Sequence, residues 1–330
     1  MLYINIISKM AHRIQISWAR TIALTVLLLA ALVWLAGTPE LKGADAQEVY
    51  DLGKRTYQIA CSPCHGSNGD GNAPAAKALN PKPRDFTKGA YKFRSTFPGI
   101  LPADEDLQKT ISQGIPGTSM PAWKNILSEP EIDAVTQYLK GFSPFFGQVT
   151  DFDTLIFPTS PLSQEAIARG KEIYKILGCW TCHGMKGRGD GPSAKGLLDE
   201  EKRPIKAYDF TTGSMKRGSE LSDIYKTLIT GLRGTPMPSF YWAFRFTREN
   251  LQELLSKEIY QQYFSGSELK SLQEFIESIL TEAELNALDS TGVEELMEQR
   301  KWELVQYVYS LKRHPGPLSE LFIRDHELTR

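Results

Sequence analysis

Cys61-Ser62-Pro63-Cys64-His65 and Cys179-Trp180-Thr181-Cys182-His183 contain every cysteine of the 330-residue chain, and each ends in one of its five histidines. A C-x-x-C-H run is the attachment sequence of a c-type haem. Two thiols add to the porphyrin's vinyl groups, and the adjacent histidine binds iron from the same side. Two such runs predict two covalently attached haem c groups, held by Cys61, Cys64, Cys179 and Cys182, with His65 and His183 on the iron. Other uses of paired cysteines fit less well. A thioredoxin-like dithiol needs one pair in a strand–helix–strand setting, and no such alternation is present. A four-cysteine zinc site would draw its pairs from opposite halves of the chain and leave both histidines unexplained. A disulfide between cysteines three apart closes almost no loop, so it stabilises little.

The surroundings of the two runs repeat, and repeats decide architecture. Gly53-Lys54-Arg55-Thr56-Tyr57 precedes the first and Gly170-Lys171-Glu172-Ile173-Tyr174 the second. Downstream, Gly69-Asp70-Gly71 matches Gly189-Asp190-Gly191, Pro74 matches Pro192, and Asp85-Phe86-Thr87 matches Asp209-Phe210-Thr211. The last matching block is Gly117-Thr118-Ser119-Met120-Pro121 against Gly234-Thr235-Pro236-Met237-Pro238. The offset between copies starts at 117, reaches 124 in the middle and returns to 117, which small loop insertions explain. That last block supplies what a six-coordinate iron still needs. Met120 lies 55 residues after His65 and Met237 54 after His183, each followed by proline in an extended loop. A soft thioether opposite histidine completes an electron-transfer site. Methionine is ordinarily core filler, but these two hold matching places, whereas Met185 and Met215 have no counterpart.

Both halves resemble class I c-type cytochrome domains, which carry C-x-x-C-H early, a glycine-bearing loop after it, and a methionine in a T-x-M-P loop before the last helix. The likeness covers about residues 47–145 and 163–312. It implies an all-α fold, a tandem duplication of two class I cytochrome c domains, each built around a covalent haem, with a helical insertion in the second. It implies His65 and His183 as proximal and Met120 and Met237 as distal ligands, with thioethers at Cys61, Cys64, Cys179 and Cys182. In such domains a backbone carbonyl often accepts the histidine's Nδ1 hydrogen. Pro74 and Pro192, each nine residues beyond its histidine, are the candidates by equal spacing. The expected division is 1–46 signal peptide or membrane anchor, 47–145 first domain, 146–162 linker, 163–313 second domain, and 314–330 tail.

Helix signals agree with this plan. Ser128-Glu129-Pro130-Glu131 reads as a capping box with proline in the first turn. It opens a helix with Ile132, Val135, Tyr138 and Leu139 on one face, ending at Gly141. Its counterpart in the second half lies around Trp302, Leu304, Val305, Tyr307, Val308 and Leu311. Between Met237 and that helix the second half inserts about residues 241–298, where Leu251, Leu254, Leu255, Leu269, Leu272 and Phe275 recur at helical steps. Ser265-Gly266-Ser267-Glu268 and Thr281-Glu282-Ala283-Glu284 resemble further capping boxes. From Glu249 to Arg300 there are 12 acidic and three basic residues. The plain reading is a solvated helical pair whose apolar face rests on its own domain. The functional reading is an acidic docking surface for a redox protein or membrane respiratory complex, since complementary charge raises encounter rates. Phe145, Phe146 and Phe157 make the linker a stretch that lies on a surface. Lys92 and Lys216 follow the Asp-Phe-Thr aspartates by seven residues and are within reach of a propionate, although a lysine at a turn is usually solvated. Haem supplies much of the core in a domain of about 100 residues, so both halves are expected to fold poorly without it.

His12, Arg13 and Arg20, an apolar run from Ile22 to Ala36, and Ala44-Asp45-Ala46 follow the order of a secretory signal. Cleavage after Ala46 leaves Gln47 first, and Met10 is an alternative initiator. An uncleaved anchor, giving membrane association, is the other reading, although about 15 apolar residues fall short of the roughly 20 that span a bilayer. Both place the haems in the periplasm or on the outer face of the cytoplasmic membrane. The net charge of −1 and the lack of a basic patch argue against nucleic acid. Two saturated irons offer no open position, so the expected function is outer-sphere electron transfer in a respiratory or dehydrogenase chain, with no catalysis of its own. A dihaem peroxidase would need an openable iron and a distal histidine, for which His314 and His326 are the candidates. A fixed dihaem subunit of a larger oxidoreductase complex shares the chemistry and differs in its partners.

Overall fold

The computed structural model describes residues 45–148, 154–155, 157 and 160–312; the signal-like run, His314 and His326 lie outside them. The described residues are helical, with two isolated antiparallel bridges, Thr96–Thr154 and Leu198–Pro204, where a sheet protein would have strands. In the first copy α1 (Ala46–Thr56) runs through a π-helical turn, Tyr57–Cys61, into α2 (Ser62–His65), followed by α3 (Asp104–Gln113) and α4 (Glu129–Lys140). In the second, α5 (Gln164–Ile176), α6 (Trp180–His183) and α7 (Leu221–Thr230) repeat the order. Then come α8 (Arg248–Leu255), α9 (Glu258–Tyr263), α10 (Gly266–Glu277), α11 (Glu282–Asn286) and α12 (Ser290–Ser310).

The first and last helices of each copy cross at a glycine. A Cβ on Gly53 would lie 2.2 Å from the Ala134 carbonyl oxygen of α4, and one on Gly170 1.9 Å from that of Glu303 in α12. Neither site has room for a side chain, because backbone meets backbone there. This is the physical reason the two glycines hold matching places in the repeat.

α4 starts where its capping box predicts: Glu131 Oε2 accepts from the Ser128 N–H at 2.8 Å and from its hydroxyl at 2.7 Å. Its inner face, Ile132, Val135 and Leu139, is buried with Tyr57, Phe86 and Ile111 in the first core. The boxes at Ser265 and Thr281 are equally present and open α10 and α11. Leu251, Tyr260, Phe264, Leu272 and Ile276 from the insertion share one buried cluster with Ile173, Trp180 and Val305 of the second copy. The plain reading of the insertion is therefore correct for its apolar face. Each such side chain contributes about 1.5–3 kcal/mol by leaving water.

The terminal helix departs from expectation. α12 begins at Ser290, with Asp289 Oδ1 accepting from the Gly292 N–H at 2.8 Å, so the insertion boundary near Glu298 falls inside a helix. Thr291 and Gly292 are poor helix formers, and packing overrides them. Arg300, 1% exposed, donates from Nη1 to the carbonyls of Phe244 and Phe246 at 2.8 and 2.9 Å and stacks over the Phe246 ring at 4.0 Å.

The two copies meet through charge. Arg217 Nη2 lies 3.3 Å from Asp106 Oδ1, and burial lowers its pKa to about 10 against the pull of that carboxylate. Asp106 Oδ2 accepts from the Ser95 N–H at 2.6 Å and hydroxyl at 3.0 Å. Lys109 pairs with Asp223, and Arg94 Nη2 donates to the Thr230 carbonyl at 2.8 Å. The linker is fastened to both sides, as its aromatic residues suggest. The Leu155 N–H donates to the Ser95 carbonyl at 2.8 Å, while Phe157 meets Tyr225 edge-on at 5.4 Å.

Candidate haem sites

A single helical turn carries each attachment sequence. α2 has Cys61 as its N-cap and contains Cys64 and His65; α6 has Cys179 as its N-cap and contains Cys182 and His183. Residues three apart share one side of a helix, so each pair presents both thiols together. All four cysteines are free, and each residue is half-buried. Burial pushes the Cys61 and Cys179 thiols up to about 12. Tyr57 donates its hydroxyl to the Gly66 carbonyl at 2.8 Å, and Tyr174 donates to that of Gly184 at 2.7 Å. Each tyrosine ties the entering helix to the turn just beyond the histidine.

The histidines are held alike. His65 Nδ1 lies 3.1 Å from the Arg84 carbonyl oxygen and His183 Nδ1 3.0 Å from that of Tyr208. A carbonyl only accepts, so Nδ1 carries the hydrogen and the Nε2 lone pair is left free for iron. Burial lowers both imidazole pKa values, against the opposing carbonyl bond, and keeps the rings neutral. Phe86 stacks on His65 at 4.6 Å and Phe210 on His183 at 4.4 Å.

These carbonyls correct the expectation for Pro74 and Pro192. They come from the residue before each Asp-Phe-Thr block, and equal spacing misleads because the second copy has six more residues between histidine and block. The usable signal was the block itself. Asp85 Oδ1 accepts from the Thr87 N–H at 3.0 Å and hydroxyl at 2.6 Å, and Asp209 Oδ1 does the same for Thr211 at 2.9 and 2.6 Å. That aspartate turn sets the phenylalanine under the imidazole and aims the preceding carbonyl.

The glycine loops also differ from the sequence match. The Gly71 N–H donates to the His65 carbonyl and the Gly189 N–H to that of His183, both at 2.8 Å. The Phe86 and Phe210 N–H groups reach the Gly69 and Gly187 carbonyls, both at 2.7 Å. Gly69 and Gly71 therefore correspond to Gly187 and Gly189, two residues earlier than the Gly-Asp-Gly match, and all four have left-handed φ between +69° and +73°.

The methionine loops are one construction made twice. The Ile115 N–H donates to the Met120 carbonyl at 3.0 Å, and the Leu232 N–H to that of Met237 at 3.1 Å. Thr118 Oγ1 accepts from the Met120 N–H at 3.1 Å while donating to the Ile115 carbonyl at 2.8 Å. Thr235 does the same for Met237 and Leu232 at 3.2 and 2.7 Å. This is the work of the threonine in T-x-M-P.

The donor set fits a covalent haem: neutral imidazole with Nε2 free, free thiols, and a thioether loop. Tyr91, which stacks on Phe86 at 6.1 Å, buries a hydroxyl that has no partner among the described residues. An orphaned buried donor one ring removed from His65, behind Phe86, suits a group that the polypeptide does not itself supply. The lysine pair is unequal. Lys92 is half-buried, and burial with the charges of Arg84 and Lys216 lowers it to about 8, whereas Lys216 is exposed as expected of a turn lysine. No helix among the described residues is long and apolar enough to cross a membrane.

Comparison with known proteins gives each half a match. Residues 48–139 match the family model described as cytochrome c oxidase, cbb3-type, subunit III, and residues 167–256 match that described as cytochrome c. The chain is 26% identical over 209 residues to the Cbb3-type cytochrome c oxidase subunit FixP of Azorhizobium caulinodans, covering 61% of this chain and 56% of that protein. It therefore spans little more than half the length of that relative. To cytochrome c55X of Paracoccus denitrificans it is 31% identical over 108 residues, 33% of this chain and 87% of that protein. A chain of the Kuenenia stuttgartiensis reducing HAO-like protein complex is 37% identical with a TM-score of 0.61, covering 81% of this chain and 98% of that one.

Proposed function

Because the chain belongs to the c-type cytochromes and carries two covalently attached haem c groups, at Cys61/Cys64 and Cys179/Cys182, we propose that His65 with Met120 and His183 with Met237 are the axial ligands of two six-coordinate irons. Its role is electron transfer. Bound haem supplies a reversible one-electron change, and a thioether opposite imidazole raises the potential. The polypeptide holds each imidazole neutral through the Arg84 and Tyr208 carbonyls, fixes its plane with Phe86 and Phe210, and fastens each methionine loop through Thr118 or Thr235. The observation that carries the reading is the duplicated methionine loop, the same hydrogen bonds serving the same residue in both copies.

The division into a first haem domain at 47–145 and a second at 163–313 is part of this proposal. So is its setting: a non-enzymatic carrier outside the cytoplasm, attached to a larger redox complex. The relatives named as an oxidase subunit and as part of a reducing HAO-like complex support that setting. The outer, acidic face of the insertion is the docking surface we assign, and electron-transfer rates measured against salt test it. No observation favours a peroxidase.

A redox titration followed by optical and paramagnetic spectra tests the core of the proposal. Two low-spin haems with a sulfur-to-iron absorption are expected, half of that band disappearing in Met120→Ala and the other half in Met237→Ala. A high-spin resting iron, or turnover of peroxide, overturns it.

A further inference from the structure

Between His183 and its Asp-Phe-Thr block, which stand six residues further apart than their counterparts, lies a hairpin at residues 197–205. Asp199 closes it. Its Oδ1 accepts from the N–H groups of Glu201 at 3.0 Å and Arg203 at 2.9 Å, and its Oδ2 from Arg203 Nε at 2.8 Å. The Asp199 N–H donates to the Arg203 carbonyl and the Ile205 N–H to that of Leu197, both at 2.9 Å. Lys202 takes φ +59° in the turn, a left-handed conformation that is unfavourable for a non-glycine residue. The hairpin is thus a built shape, maintained against local preference.

Its acidic side chains reach into the first copy. Glu200 Oε1 lies 3.5 Å from Arg84 Nη1, and Glu201 Oε1 lies 2.9 Å from Lys88 Nζ. Arg84 is the residue whose carbonyl holds His65. In the other direction, the Glu200 N–H donates at 3.0 Å to the carbonyl of Gly234, which opens the Gly-Thr-Pro-Met-Pro block bearing Met237. The Glu200 carboxylate also occupies the space beside Gly234, where a Cβ would lie 2.6 Å from Oε1. One residue therefore touches the histidine loop of one site and the methionine loop of the other.

We propose that Glu200 is a positioning residue that couples the two haem sites, joining the loop that holds His65 to the loop that carries Met237. The proposal rests on the axial assignments above. A change in charge at either iron reaches a carboxylate whose partners lie on both loops, so each site responds to the state of the other.

Two variants of the full holoprotein test it, Glu200→Gln and Arg84→Gln. Each removes one charge of the pair and leaves the backbone groups of its residue in place. Both haems are followed separately in redox titrations with optical and paramagnetic detection. Each lost charge shifts the potentials by its own field, so the readout is the interaction between the haems: how far reduction of one shifts the reduction equilibrium of the other. That interaction changes by about threefold or more in both variants relative to the parent, within the span carried by contact networks. An interaction equal to the parent's in either variant overturns the coupling. The sulfur-to-iron band separates this failure from failure of the axial assignments. If the parent lacks the band, the ligand reading is wrong; if parent and variants keep it with an unchanged interaction, only the coupling is wrong.

Discussion

In the first copy the turn bearing Cys61, Cys64 and His65 is open behind: Ile59 is 80% exposed, and Ser62 follows the first cysteine. In the second copy that place belongs to Trp180, which is 1% exposed, donates from Nε1 to the Lys175 carbonyl at 3.1 Å and packs edge-on against Phe264 at 5.1 Å. Tyr260 secures the same turn by donating its hydroxyl to the carbonyls of Lys175 and Ile176. The tyrosine, aspartate, phenylalanine and threonine hydrogen bonds and stacking contacts around the histidine and methionine are the same in both. A haem cradle of this kind therefore needs only those local contacts. What supports it from behind is free to differ, and the second copy has turned an insertion into extra core.

Blocking attachment should break the comparison most visibly. With Cys61→Ser and Cys64→Ser, the first copy should lose its fold while the second keeps its haem; with Cys179→Ser and Cys182→Ser, helices α8–α12 should persist. Limited proteolysis and far-ultraviolet spectra would read this difference, and equal loss in both would remove the asymmetry. Next in size, Trp180→Ser, which installs the first copy's residue, should destabilise the second copy by about 3–5 kcal/mol, and Leu272→Ala by about 2–5 kcal/mol, both without loss of haem. Denaturant unfolding monitored at the haem and by helicity checks both. The glycine crossings should come third: Gly170→Ala and Gly53→Ala should each cost about 1–3 kcal/mol through overpacking, the former more, as its Cβ has less room.

The smallest effect concerns Lys92. Its folded pKa of about 8 lies below the ordinary lysine value because of burial and the cations Arg84 and Lys216. Between about pH 8 and the unfolded pKa, the unfolded chain therefore binds more protons, and stability rises with pH across that window. Lys92→Met should flatten the rise, and Lys216→Met, which removes one of the cations that lower Lys92, should weaken it without abolishing it. Stability measured at several pH values distinguishes them.

The fold class, the two covalent haems and the capping boxes at Ser128, Ser265 and Thr281 were legible because each is written in a few adjacent residues. The hydrogen-bond partners of the histidines were not. Arg84 and Tyr208 sit at unequal distances from their histidines, and the hairpin before Tyr208 meets the other copy only in three dimensions. The glycine register misled for a related reason. Asp70 and Asp190 both fold back beside the glycine after their histidine, so they align in sequence while the backbone bonds align two residues earlier. The start of α12 was hidden because Thr291 and Gly292 weaken the local signal that distant packing restores.

That helix has a consequence for how the insertion can be inherited or removed. Its 21 residues, about 30 Å long, begin in the inserted segment and end across α5, so the two parts share one splint. Excising 241–298 as a cassette would leave Gln299 opening an uncapped helix and strand the Arg300 guanidinium without the Phe244 and Phe246 carbonyls. Removing the insertion therefore calls for a new N-cap before Gln299, as Ser128 provides in the first copy, and for replacement of Arg300 in the same step. The graft has no clean seam.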